Sequence, residues 1–385
     1  MAEESRSRVI PEWNSPDLEY VEPTQVVRSF GYDIFSGPYD EEAVRHDQKT
    51  IECVLDVDGP VNETKTAYDS PEAAARDIKE KARALGATLV GITGLDPFHV
   101  YKGHDVPHAN VVMIAVPMEY DEIRFGATPR HVREVLRVYA EAGAIATRLG
   151  AYIREQGYPA RAHSLRFEQI NMLPHARAAG LGELGKHGSL INRELGCSFR
   201  VAAVTTDLPA ARDSVENHGV EDLCANCNMC VTYCPGDAIS HQKEEVRGIT
   251  KWVVDTAACA PYWGSYNACG ICLEVCPFNA RGFDGRYKKT FVETIKGIDL
   301  GEWREELKAG LQEPWAYVEK PASREEGWRN YVEGKGEAGF MIQGLPREGL
   351  AAAVYERRRA MKIDPQHHLP LGRDEPAGRA ARGAG

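Results

Sequence analysis

The sequence predicts an α/β protein in two main parts: a sandwich of helices and strands over residues 66–215, followed by a small module built around cysteines over 216–285. Three observations predict it. Segments with a helical apolar period alternate with short continuous apolar runs between residues 70 and 210, the pattern of helices packed on a sheet. At 385 residues and 43% hydrophobic composition the chain can bury a large core. Eight of its ten cysteines fall between positions 224 and 276, which marks a second unit with its own chemistry.

The elements follow in order. Residues 1–65 are rich in Pro, Asp, Glu and aromatics without clear periodicity, so they are expected to wrap over another lobe. SPEAAARDIKEKARALG predicts a helix with Ser70 as N-cap, Pro71 in the first turn and Gly86 just past the end, and ATLVGIT predicts the strand after it. ANVVMIAVPM, 109–118, is a continuous apolar run of strand length and predicts a strand buried on both faces. Val132, Val135, Leu136, Tyr139, Ala142, Gly143, Ala146, Leu149 and Ile153 recur at three- and four-residue steps, giving one long helix that stops at Gly157. HARAAGLGELGKHG joins a short helix to a glycine-rich loop, and SFRVAAVTTDLP predicts a further strand. Residues 286–370 carry short helical signals (GEWREELKAGL, EGLAAAVYERRRAMKI) expected to complete the core, and 371–385 reads as a disordered tail.

A formal net charge of −11 argues against a nucleic-acid partner, because neutralising phosphates takes clustered Lys and Arg. No apolar run approaches the roughly 20 residues of a membrane span. MAEESRSRVIPEWN carries neither an apolar leader nor a twin arginine, so a cytoplasmic location without a membrane partner is expected. A chain of that kind does not keep disulfides. Cys53 and Cys197 stand apart from the cysteine module and read as small buried hydrophobes, and Met113 and Met118 read as packing.

The cysteines repeat a pattern. Cys224-x2-Cys227-x2-Cys230-x3-Cys234-Pro235 is followed by Cys259-x9-Cys269-x2-Cys272-x3-Cys276-Pro277. Such spacings let thiolates converge on a cubane, with the fourth cysteine of each run serving the other cluster. Cluster one is expected to take Cys224, Cys227, Cys230 and Cys276, and cluster two Cys234, Cys259, Cys269 and Cys272. Structural zinc also uses x2 spacings, but the doubled order and both prolines favour two [4Fe-4S] clusters in a bacterial-ferredoxin-like domain. The stretch between Cys259 and Cys269 is longer than a ferredoxin repeat has.

About 200 residues precede this module, far more than electron storage needs. AGLGELGKHG does not match GxGxxG after a strand or GxxxxGK[ST], so a nucleotide loop is not indicated. AGLGELGKHGSLINRELG-x3-R-VAAVTTDLP, the GYPA at 157–160 and the two cysteine runs together resemble the corrinoid-dependent reductive dehalogenases, of the soluble non-respiratory type. GKH-x4-NRE-x-G is also similar to epoxyqueuosine reductases, which modify tRNA. The acidic residue those enzymes carry nearby has no counterpart in RFEQINMLPHARAAG, where Arg166 stands near that place, and no basic repeat tail for tRNA is present.

Both resemblances imply a base-off cobalamin, although the D-x-H-x-x-G signature of other cobalamin proteins is absent. The implied fold is α/β (α+β): a cobalamin-binding, flavin-reductase-like domain with a C-terminal two-[4Fe-4S] ferredoxin-like domain. The implied reaction is reductive cleavage of a carbon–halogen bond in an organohalide such as a halogenated aromatic, with an external ferredoxin, flavodoxin or reductase as electron donor. The resemblance assigns Tyr139 as proton donor and Arg200 as its cationic support, and makes Gly182, Glu183, Lys186 and His187 a cobalamin or substrate loop. Tyr139 sits on the apolar stripe of its helix, where a core aromatic is the plainer role. Arg200 alternates with Ala202, Val204 and Thr206, an apolar row in which a guanidinium needs a partner. His163 is a weaker candidate. A non-catalytic corrinoid or electron-transfer protein is the remaining class.

Overall fold

The apolar run at 110–117 becomes one of the two central strands of a four-stranded sheet, as its lack of polar alternation requires. The computed structural model of the protein describes residues 41–279, except 102–103, 124–128, 166, 233, 235, 247–248, 256–257, 260–262 and 264–268. The expectations for 1–40 and 286–385 lie outside the described residues.

The first lobe runs α1 (Glu41–Glu52), a 3-10 turn (Cys53–Asp56), α2 (Pro71–Ala84), β1 (Leu89–Gly94), β2 (Asn110–Pro117), α3 (Tyr120–Ile123), α4 (Pro129–Glu155) and β3 (Ala160–His163). Then come α5 (Met172–Ala178), β4 (Glu183–Leu184), β5 (Leu190–Ile191) and β6 (Phe199–Thr206). The cysteine module adds α6 (Val220–Asn226), α7 (Met229–Thr232), β7 (Ile239–Val246), β8 (Ile249–Val254) and α8 (Ile271–Glu274).

The main sheet has the order β1-β2-β6-β3, and every neighbouring pair is antiparallel. Its register sorts the side chains. Val112 opposes Ile92 and Val204, and Ile114 opposes Ala202, so these residues share one face. That face packs on Ile78, Leu136, Ile145 and Leu149 of α2 and α4. Val111, Met113, Ala115 and Ala203 take the opposite face and pack on Met172 and Ala176 of α5. Both faces are covered, which explains a strand buried along nearly its whole length in an antiparallel sheet.

The end signals read from sequence act as predicted. Ser70 Oγ accepts from the Ala73 N–H at 3.2 Å, Pro71 opens α2, and Gly86 follows it at φ +114°. Gly157, at φ +84°, follows α4. Met113 and Met118 are buried, consistent with packing.

Gly91 is glycine for a steric reason. A Cβ there would lie 2.1 Å from the Ala179 carbonyl oxygen and 2.6 Å from Leu181 Cδ1, so the loop after α5 rests directly on the β1 backbone. Gly91→Ala should destabilise by roughly 1–3 kcal/mol, as overpacking does, and lower the thermal midpoint by about 2–10 °C. An unchanged midpoint in a melting experiment would contradict this close approach.

Candidate functional site

The module brings its cysteines together in two adjoining packed clusters. Cys276 lies close enough to Cys224, Cys227 and Cys230 to raise all three thiols, after the larger effect of burial. Cys234 does the same to Cys259 and Cys269, and Cys272 feels Cys269, Cys259, Cys230 and Cys234 in that order. Cys230 packs with Cys234 and, alongside them, Cys259 and Cys272, so the two groups meet at that point.

Burial first, and neighbouring thiolates second, push Cys224 up to about 11 and Cys230 up to about 12. Four thiolates in so dry a site repel one another, and a bound metal core is what makes such an assembly stable. The donor set therefore fits iron-sulfur clusters, held between α6, α7, α8 and their loops. Gly270, at φ +79°, ties the second group to the first lobe: a Cβ there would lie 2.4 Å from the His131 ring on α4.

The glycine loop meets the module from the other side. Lys186 is 1% exposed, its Nζ donates to Asn228 Oδ1 at 2.9 Å, and it lies 5.1 Å from the Trp252 ring centroid. His187 Nδ1 accepts from the Ser189 N–H at 3.1 Å. The ligand atoms of His187, Cys197 and Cys276 lie within 4.8 Å of one another. Glu183 Oε2 accepts from the His218 N–H at 2.7 Å, and a Cβ on Gly182 would lie 2.7 Å from the Ile191 carbonyl oxygen.

The side chains of Glu183, Lys186 and His187 are thus committed to the protein's own interior, and Gly182 to the β4–β5 hairpin. Cys197 is buried as expected, in an apolar cluster with Ile191, Val220 and Phe278, and lies beside Cys276. Cys53 is only partly buried, against Gly143 of α4.

Tyr139 and Arg200 do meet. Arg200 opposes Val116 in the β2–β6 register, so it shares the sheet face that carries α4. Its Cζ lies 5.3 Å from the Tyr139 ring centroid. Nη1 donates to the Phe199 carbonyl at 3.3 Å, while the buried Nε has no hydrogen-bond partner among the described residues. No carboxylate pairs with this guanidinium among them.

Burial raises the Tyr139 hydroxyl above its ordinary value; Arg200 opposes that rise and Glu168 adds to it. The phenol therefore holds its proton at neutral pH. A partly buried phenol beside a cation with a spare donor can give up a proton and have the resulting charge stabilised.

His131, two turns before Tyr139 on α4, escaped the sequence reading. Its Nδ1 lies 3.2 Å from the Ile123 carbonyl, and burial, with a smaller effect of Arg200, lowers it to about 4, so it stays neutral. Its only sequence signal is the eight-residue step to Tyr139. His163 opposes Ala203 and so occupies the other face of the sheet. Its Nε2 lies 2.9 Å from Thr205 Oγ1, and burial holds it far below its usual range.

Residues 223–291 match a family model described as a 4Fe-4S dicluster domain. A tetrachloroethene reductive dehalogenase from Desulfitobacterium hafniense is 29% identical over 273 residues, covering 55% of this chain and 49% of the relative. An epoxyqueuosine reductase from Leadbetterella byssophila is 33% identical over 112 residues, covering 27% of this chain and 36% of the relative.

The solved structure of a catabolic reductive dehalogenase superposes with a TM-score of 0.66 at 23% identity, covering 77% of this chain and 46% of that one. Its complex with 3-bromo-4-hydroxybenzoic acid gives 0.58 at 26% identity, over 68% and 40%. The chain thus spans about half the length of the tetrachloroethene relative. No helix among the described residues is long and apolar enough to cross a membrane. The chain is thus similar in sequence to reductive dehalogenases and, more locally, to an epoxyqueuosine reductase, shares the fold of the former, and carries a 4Fe-4S dicluster domain.

Proposed function

We propose that the protein is a cobalamin- and iron-sulfur-dependent reductive dehalogenase acting on a halogenated aromatic in the cytoplasm, fed by an external ferredoxin, flavodoxin or reductase. The observation that carries this reading is the Arg200 guanidinium seated over Tyr139, with unsatisfied donor capacity, in a chain similar in sequence to reductive dehalogenases. Orphaned donors in a buried site suit an anionic or polar guest. A ring bearing a phenol or carboxylate meets that need, and the related catabolic enzyme was solved with such a molecule.

In the proposed reaction two electrons and one proton replace the carbon–halogen bond with a carbon–hydrogen bond and release halide. Cobalamin, when bound, would supply the low-potential metal chemistry of the reductive step. The two cysteine groups would hold iron-sulfur clusters, which would supply electrons one at a time. Tyr139 gives the proton from its hydroxyl, and Arg200 stabilises the phenolate until solvent returns the proton. The half-buried setting of the pair limits the access of water.

An epoxyqueuosine reductase-like activity is the second reading, favoured by the local identity to such an enzyme. The −11 net charge and Arg166 in place of an acidic residue count against it.

The test is anaerobic expression with cobalamin, visible and EPR spectra, and halide release from brominated and chlorinated phenols with reduced viologen as donor. Cluster and cobalt signals with halide release are expected. Cobalt signals without halide release, but with turnover of epoxyqueuosine in tRNA, would establish the second reading. Clusters without any corrin signal would leave an electron-transfer protein.

A further inference from the structure

We propose that Lys186 is a built-in electrostatic regulator of cluster one, holding its reduction potential above that of cluster two so that the first electron entering the chain rests there. This rests on the ligand grouping proposed above, but not on dehalogenation.

A buried lysine beside a metal cluster calls for an explanation. Lys186 is 1% exposed and makes no ion pair with a carboxylate among the described residues; its ammonium is held by the neutral Asn228 amide and lies over Trp252. Burying a cation without an anion is costly. Asn228 stands between Cys227 and Met229, and Trp252 packs in one apolar cluster with Cys224 and Cys276.

The Lys186 backbone also acts on the Cys224 thiol, opposing the rise that burial causes. Its positive charge acts on Cys224, Cys227 and Cys230 together, opposing the effect of burial on each. The missing anion is supplied by the cluster with its thiolates, which gains one more negative charge on reduction.

Cluster two has the opposite surroundings. Asp255 stands beside it, its carbonyl accepting from the Cys259 N–H and its carboxylate from the Ala258 N–H, and Glu274 follows Cys272 on α8; both are carboxylates. A second cation, Lys243, approaches Trp252 at 4.6 Å but is paired with Glu221. His187 adds to the bias. Its Nδ1 accepts from the Ser189 N–H, and the ring offers a nitrogen within 4.8 Å of the Cys276 sulfur. Net charge and hydrogen bonds to sulfur are the established determinants of cluster potential. The electron step itself is simple: cluster one accepts one electron, no bond forms or breaks, and the external reductant loses that electron.

The test is an EPR-monitored redox titration of the full chain with both clusters loaded. Lys186→Gln should make the more positive of the two reduction steps about tenfold less favourable, a shift of about 59 mV for one electron, and leave the other step in place. Lys186→Arg should restore most of the shift. Both steps unmoved, or both moved equally, would overturn the proposal.

If Lys186→Gln fails to load cluster one, Asn228→Asp decides. The added carboxylate should neutralise the ammonium and move the same step in the same direction, and an unmoved step overturns the proposal. A wild-type chain that loads no cluster at all would instead remove the ligand reading itself.

Discussion

Tyr139→Phe should lower halide release by roughly 10²–10⁴-fold, the range a positioned acid contributes, while the cobalt and cluster spectra stay as in the parent. The hydroxyl makes no hydrogen bond among the described residues, so its loss costs the fold little, whereas the ring keeps its contact with Arg200. Burial raises this phenol, so it stays protonated below its folded value and loses the proton only as pH rises through it. Turnover should therefore be insensitive to this group across the neutral range and fall only in alkali.

Arg200→Leu should act on the same step and through the same phenolate. The double variant should be little worse than either single one, because coupled groups are not additive. A Tyr139→Phe enzyme with parental kcat, measured as halide per minute under saturating reduced viologen, would remove Tyr139 as the proton source.

The second large effect concerns the expected crossing of the cysteines. Cys276→Ala should remove the same EPR signal as Cys224→Ala, and Cys234→Ala the same signal as Cys269→Ala, each halving the iron from about eight to about four atoms per chain. The basis is the spacing of the two runs, together with the effect of Cys276 on Cys224, Cys227 and Cys230, and of Cys234 on Cys259, Cys269 and Cys272. Pairing by sequence order instead, with Cys234→Ala matching Cys224→Ala, would contradict the crossing.

Much of the first lobe was legible because its signals are local. Ser70, Pro71 and Gly86 bound α2, the apolar run 110–117 gives β2, and the repeating stripe from Val132 to Ile153 gives α4. The missed elements hide polar residues in buried positions.

The buried residues of α1 are Ala43, Asp47, Thr50 and Ile51, so half of its inner stripe is polar; Thr50 Oγ1 satisfies itself on the Asp47 carbonyl at 2.7 Å. In β3, Arg161 and His163 break any apolar pattern, yet Gln169 and Thr205 provide their partners from other segments. The β7–β8 hairpin inside the cysteine module begins with ISHQKEEV, whose charges conceal a strand.

The site divides in the same way. Cysteine spacing is chemistry written along the chain, and the Tyr139–Arg200 contact followed from the family resemblance together with the strand alternation. The inward turn of Lys186 was not readable, because its partner Asn228 lies 42 residues away. Nor was the contact of His131 with Gly270, which joins α4 to the second cysteine run.

The central claim is tested most directly by counting halide against electrons in the anaerobic, cobalamin-loaded protein, with a brominated hydroxybenzoate as substrate and reduced viologen as donor. The account predicts one bromide and one debrominated ring for about every two electrons consumed, and none from protein loaded with clusters alone. Viologen oxidation without bromide from cobalamin-loaded protein, or equal bromide without cobalamin, would contradict it.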